Sequence, residues 1–440
     1  MNQSLSSTSA TEPATLSSLE QEVLGAVDDD QVVQDLRDLV AIPSVGGSAA
    51  EAEAQEWCAA RLGDLGCDVD RWDIDLAGLS EVPGHPGVEV ERWNAVGCVG
   101  VLGGTSQPPS GGAGMPALAL CAHTDVVPPG DLLSWPDADP FTLRVIDGLA
   151  HGRGACDMKG GLAAILGAVS ALARAGVPLR RPLAVHTVSG EEDGGFGAFA
   201  TLRRGHLADS CVIVEPTAGT IIPVNAGSLT FRLELTGRST HGATRSQGVS
   251  VIDLLEDVSA TLRTLERDRN ASLPAEFAHL DLAWPISVGM VHAGDWASSV
   301  PDKLVAHGRF GVQVGEGVDS ARRVFERALA DAGERHPWLR DHPVEVSWPG
   351  GEFASGALPA GHPLLDEVTT AVTDLGGDRP RVCGAPYGSD LRHYAAAGVA
   401  TLQYGPGDIR RAHALDERVE VAEVLRCARV YALLALRQCA

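Results

Sequence analysis

Residues 160–193, GGLAAILGAVSALARAGVPLRRPLAVHTVSGEED, join two segments that are apolar in different ways. The first, GGLAAILGAVSALARAG, has almost no polar face and is too long for a strand, so it reads as a helix buried on all sides. PLAVHTVSG, between Pro182 and Gly190, is a short β-type run and reads as a strand. A buried helix feeding a buried strand is the repeating unit of a sheet that is largely parallel and covered on both faces. The strand ends on Glu191, Glu192 and Asp193, side by side between glycines. Like charges this close repel, and a carboxylate removed from water without a partner is costly. Either these acids sit on a loop in water, or something positive meets them.

The same alternation extends both ways. Upstream lie amphipathic helical segments ending at Pro43, a helix at EAEAQEWCAARLGDLG closed by Gly66, and strands at CDVDRWDI, AVGCVGVLG and PALALCAH. Between the last two strands, GGTSQPPSGGAGM has the composition of a surface loop. CVIVEP follows downstream as another strand. Near residue 227 the pattern changes: SLTFRLELTG alternates with period two, like a half-exposed antiparallel strand. A β-α-β-β-α order follows, with a last strand at PVEVSW, which suits a small α+β sandwich. After about residue 350 the helix–strand alternation resumes through HPLLDEVTTAVTDLG, VATLQYGPG and VAEVLRCARVYALLAL. The expected organisation is a disordered lead-in over 1–18, a discontinuous α/β domain over 19–226 and 348–440, and an α+β domain over 227–347 inserted between its halves.

Composition bounds the function. A chain of 440 residues, 44% apolar and 21% charged, is long enough for a large core and two domains. The net charge of −24, with no basic run, argues against nucleic acid or an anionic membrane as partner. The N-terminal stretch lacks the basic-then-apolar order of a secretion signal, and no transmembrane helix is evident. Nine cysteines without a CxxC pair read as reduced core residues of a cytoplasmic protein.

In a parallel α/β sheet, functional groups gather beyond the carboxyl ends of the strands. His123 and Asp125 follow ALALCA; Asp157 lies in GRGACDMKGG; Glu191 and Glu192 follow LAVHTVSG; Glu215 follows CVIV; and His413 follows VATLQYGPG. So many acids cannot all be ionised in one crevice without cations. Imidazole nitrogen with carboxylate oxygen suits zinc, with manganese or cobalt as substitutes. Five ligands, one bridging, would supply three to each of two metals. Asp125, two residues beyond His123 on the same strand face, could accept the other ring N–H of His123 and fix its tautomer.

The segments AHTDVVPPGD, GRGACDMKGG, SGEEDGG, VEPT, GRSTHGA, GSDLRHY and YGPGD…AHALDE together resemble the zinc aminoacylase and exopeptidase family of acetylornithine deacetylase, succinyl-diaminopimelate desuccinylase, carboxypeptidase G and aminoacylase. They span nearly the whole chain in the family's order. The resemblance implies a zinc exopeptidase-like sheet with an inserted lid and dimerisation domain, and hence a homodimer. It implies two Zn²⁺ ions bridged by Asp157, with His123 and Glu215 on one and Glu192 and His413 on the other. Glu191 would be the general base, Asp125 would orient His123, and His241 of GRSTHGA would donate to the developing oxyanion, often from the other subunit. Many relatives carry an arginine ten residues past the proline of the VPD element to hold a substrate carboxylate. Here that position is Gly311, and Arg309 is the nearest substitute on the same strand face. Ser298 stands where relatives often carry asparagine.

Some of these residues have plainer readings. Asp193 reads as a solvated loop acid and Asp390 as a helix cap, and His151, His186, His292 and His393 as structural or supporting groups. The expected activity is hydrolysis of an amide, foremost the deacylation of an N-acyl amino acid. Dipeptidase or carboxypeptidase activity is the alternative, and a catalytically inactive binding protein a more distant one, since every inferred ligand and the base are present.

Overall fold

The computed structural model describes residues 15–107 and 114–440. Most of the expected lead-in, and residues 108–113 of the Gly/Pro/Ser-rich loop, lie outside the described residues. Ser17, inside the stretch expected as lead-in, caps the helix Ser18–Gly25 through a reciprocal pair with Glu20.

Nine strands form the larger sheet, in the order Asp68–Asp73, Val96–Leu102, Leu183–Val188, Leu118–His123, Ser210–Ile213, Ala400–Gln403, Ile221–Asn225, Gly356–Ala357, with Val382–Ala385 also against Ile221–Asn225. Its four central strands, Leu183–Val188 through Ala400–Gln403, run parallel. The first two strands join them antiparallel. Residues of the central strands are buried throughout, which is why they read as continuous apolar runs rather than alternating ones.

The helix Gly160–Arg174 is buried along nearly its whole length between this sheet, the helix Asp29–Ala41 and the C-terminal helix Val421–Cys439. Ala155–Arg174 is long and apolar enough in composition to cross a membrane, yet all of it but its last two residues is buried in the core. Glycine permits the packing: a Cβ on Gly161 would lie 2.5 Å from the carbonyl oxygen of Val214. That contact seats the helix against the residue just before Glu215. All nine cysteines are buried and free.

The second sheet has its own core. Strands Ile286–Ala293, Lys303–Val312, Gly227–Thr236 and Glu345–Ser347 pair antiparallel in that order. Helices Val251–Arg269 and Val318–Arg335 cover one face, closing on Phe231, Phe310 and Phe325. Glu352–Phe353 also pairs with Gly227–Thr236, so this sheet reaches beyond the boundary expected at residue 347.

Candidate metal centre

His123 is the last residue of its strand, and Glu215 lies two residues past the end of the neighbouring strand Ser210–Ile213. Glu191 and Glu192 follow Leu183–Val188 after a two-residue turn. Asp157 comes from the turn that opens the buried helix. His413 stands at φ 60, and the left-handed conformation costs a non-glycine residue about 1 kcal/mol. That turn carries its ring to the acids.

The fold brings these groups together. His123 Nε2 is 3.0 Å from Asp157 Oδ1. His413 Nε2 is 2.9 Å and 3.1 Å from the two Glu192 oxygens, and 3.7 Å from Asp157 Oδ2. His123, Asp157 and Glu192 each offer a ligand atom within 4.8 Å of one another, and so do His123, Glu191 and Glu215. Asp157 thus lies between the two imidazoles.

The electrostatics are those of an acid cluster with too little positive charge. Burial, and then the Glu215 carboxylate, push Glu191 well above the usual carboxylate range. Burial and the Asp157 charge do the same to Glu215, and to a lesser degree to Glu192. Burial also opposes the ionisation of Asp157, yet its hydrogen bond with His123 and the two histidine charges hold it below its ordinary value. Burial disfavours a proton on His123, but Asp157 and Asp125 outweigh it and raise the imidazole well above its usual range. The Glu192 hydrogen bond raises His413 to about 9. Surrounding anions raise the proton affinity of both imidazoles, and a divalent cation would relieve the same imbalance. The donor set fits such ions.

A pH dependence follows. A cation at His413 must displace a proton that the metal-free chain holds up to about pH 9. Zinc affinity is therefore expected to rise as pH climbs from 6.5 toward 9 and to level off above it. Calorimetry in buffers of different protonation enthalpy should register at least one proton released at pH 7. A pH-independent affinity without proton release would remove His413 from the ligand set.

Three residues do something other than expected. The carboxylate of Asp125 is 3.7 Å from His123 Nδ1, which instead faces the Asp125 carbonyl oxygen at 2.9 Å. That carboxylate accepts the amides of Glu191 and Glu192, both at 3.2 Å, so it positions the two glutamates and its backbone orients His123. Asp193 is no solvated loop acid: it is buried and paired with Arg92 at 2.7 Å, because the loop turns it back into the protein. Nor does Asp390 cap the helix Leu391–Ala396. It is buried, its Oδ1 has no hydrogen-bond partner among the described residues, and burial pushes it up to about 6. Gly195, at φ 76, makes room for it, since a Cβ there would lie 2.2 Å from that oxygen.

Two residues lie apart from the cluster's contacts. His241 is exposed, and its Nδ1 accepts the Ala243 amide. The Arg309 guanidinium is engaged by Ser228 Oγ at 2.6 Å and the Pro386 carbonyl at 3.0 Å. The position two residues on is closed: a Cβ on Gly311 would lie 2.8 Å from the Trp284 backbone. His186 is buried on Tyr394 Oη at 2.8 Å, and His393 Nε2 is 3.4 Å from the Gly194 carbonyl. His151 and His292 lie on peripheral strands.

Two supporting residues were missed. Glu417 accepts the amides of Gly154, Cys156 and Asp157 as well as Arg153 Nη1, and so fixes the turn that presents Asp157. Lys159 is buried, donates to the carbonyls of Leu39 and Ile42, and is lowered to about 7 by burial. Both sit inside segments already singled out, GRGACDMKGG and AHALDE. A lysine in the first motif and a second acid in the other, neither given a role, were the available signal.

An imidazole–carboxylate cluster at the carboxyl edge of a parallel sheet, with a separate α+β unit inserted, defines a metal-dependent hydrolase. Residues 119–437 match the family described as Peptidase family M20/M25/M40, and the chain belongs to that family, whose members act on amide bonds. It is 28% identical over 431 residues to the N-formyl-4-amino-5-aminomethyl-2-methylpyrimidine deformylase of Halalkalibacterium halodurans, covering 92% of this chain and 94% of that protein. It is 31% identical over 334 residues to the succinyl-diaminopimelate desuccinylase of Nitrosomonas europaea, covering 73% and 84%. Human carnosine dipeptidase 1 shares the fold, with a TM-score of 0.73 at 17% identity over 97% of this chain and 99% of that one.

Proposed function

We propose that this chain is a dizinc hydrolase that deacylates N-acyl amino acids. The observation that carries it is the convergence of His123, Asp157, Glu192, Glu215 and His413 in one cluster at the carboxyl edge of the sheet. In this reading His123, Glu215 and Asp157 hold one ion, and Glu192, His413 and Asp157 the other, with cobalt or manganese as substitutes. When bound, the two cations would polarise the amide carbonyl and acidify a water between them. Glu191 accepts the proton of the attacking water and returns it to the leaving nitrogen as the C–N bond breaks. Its burial and raised proton affinity suit both halves of that transfer. Asp125, through the two glutamate amides, keeps base and ligand facing different ways. A cytoplasmic setting accords with nine free thiols.

Arg309 and Gly311 favour a second reading. With that guanidinium engaged and residue 311 closed, the strand offers a substrate carboxylate no obvious anchor. An acylated amine without a carboxylate then becomes the substrate, as the name of the Halalkalibacterium relative describes for its own. Dipeptides and C-terminal residues of peptides are the third class. Turnover of N-acyl amino acids, N-formyl aminomethylpyrimidines and dipeptides by zinc-loaded enzyme separates the three. No hydrolysis of any of them would leave the inactive binding protein as the better account.

The inserted unit is read as a lid that dimerises. Its edge strand Ile286–Ala293 is exposed, with Val288, Met290 and Val291 in solvent, and an unpaired edge of this kind invites a second copy. His241 of one subunit then serves the centre of the other. His241→Ala is expected to lose most turnover with its metal intact. Mixed with Glu191→Gln, it should recover about a quarter of wild-type activity through hybrid dimers. No recovery after subunit exchange would remove the shared site.

A further inference from the structure

We propose that Arg92 is a positioning residue for the Glu191–Glu192 loop, and that the segment 86–92 ties this loop to the inserted sheet. The Arg92 side chain is 3% exposed and uses its guanidinium fork twice. Nε and Nη2 reach the two oxygens of Glu51 at 2.8 Å and 3.0 Å. Nη1 and Nη2 reach the two oxygens of Asp193 at 2.7 Å and 2.9 Å. The cation also stacks on Phe196, 4.7 Å from the ring centroid. Asp193 Oδ2 accepts in addition the amides of Glu89 and Val90, at 3.1 Å and 3.2 Å.

The residue directly after Glu192 is thus fixed by four hydrogen bonds from one segment, while Asp125 holds the amides of Glu191 and Glu192 from the other side. Two bidentate contacts on one cation need a planar fork, which lysine does not have. The same segment also touches the inserted sheet. The Pro86 carbonyl accepts the amide of Glu352 at 2.6 Å. Glu89 Oε1 accepts from Thr230 Oγ1 at 3.0 Å. Glu352 and Thr230 both belong to that sheet. Gly87 meets the loop itself, since a Cβ on Gly194 would lie 2.5 Å from the Gly87 carbonyl oxygen. A displacement of the inserted sheet therefore pulls on the residues that flank Glu191 and Glu192.

This rests on the reading of Glu191 as the base, and the test separates the two. Arg92→Met alone would strand two buried acids, so the informative variant is Arg92→Met with Glu51→Gln and Asp193→Asn. Its kcat is expected to fall roughly 10- to 100-fold, the size of effect that small misplacement of a reacting group produces. KM should stay within about threefold and both zinc ions should remain, as for a group acting on the transition state alone. Amide hydrogen exchange over residues 189–195 should accelerate in the metal-free 440-residue chain. Arg92→Lys should recover only part of kcat. Glu89→Ala with Thr230→Val should raise the exchange of the same amides and lower kcat less. Wild-type kcat and wild-type exchange in the triple variant would overturn the proposal. If that variant does not fold, the Glu89/Thr230 pair decides, and unchanged exchange at 189–195 overturns it. Retained activity in Glu191→Gln would instead sink the underlying reading, leaving the exchange result to report on Arg92 by itself.

Discussion

Glu191→Gln is expected to abolish measurable turnover while the protein keeps its two metal ions. The substitution preserves shape and removes only the group that accepts a proton, which is worth roughly a hundred- to ten-thousandfold in rate for a positioned base. The side chain is buried, and among the described residues its carboxylate makes no hydrogen bond that the change would break. A second possibility makes the metal count essential. His123, Glu191 and Glu215 offer ligand atoms within 4.8 Å of one another, so Glu191 is near enough to be a ligand itself. Steady-state kinetics paired with elemental analysis distinguishes the roles. Loss of activity with two zinc ions per chain identifies a base; loss of one ion with the activity identifies a ligand; retained activity removes Glu191 from the chemistry.

Asp157→Ala should be the more destructive change, costing both metal and activity. Asp157 contacts His123, at 3.0 Å, and also approaches His413, at 3.7 Å. In the proposed ligand set, removing it takes away the anion shared by the two ions and leaves neither with three protein donors. Its setting is itself elaborate: Glu417 grips the amides before it and at it, and Lys159 anchors the turn after it. The expected result is less than one zinc per chain and no detectable hydrolysis, with the fold unchanged by circular dichroism. A variant that still binds two equivalents would show that Asp157 does not bridge.

What the sequence disclosed and what it hid follow from locality. Buried strands announce themselves as apolar runs, so the sheet and the groups at its carboxyl edge were legible, His123, Glu191, Glu192 and Glu215 among them. The period-two pattern at SLTFRLELTG gave the antiparallel sheet for the same reason. Partnerships between distant segments left no comparable trace. Asp193 looked like an exposed loop acid because Arg92, its counter-ion, lies about a hundred residues away. Asp125 stands two residues from His123, and that spacing suggested a side-chain hydrogen bond, whereas the chain turns so that the carbonyl makes it. Asp390 precedes a helix as a cap would, yet Gly195 opens a space that draws its carboxylate inward. Each of these errors concerns where a side chain points, which composition and periodicity do not encode.

The most direct measurement is anomalous diffraction at the zinc edge from crystals of the 440-residue chain grown with zinc. Two peaks are predicted, both touching Asp157, one shared with His123 and Glu215 and the other with Glu192 and His413. A single peak, or peaks away from these five side chains, would contradict the account.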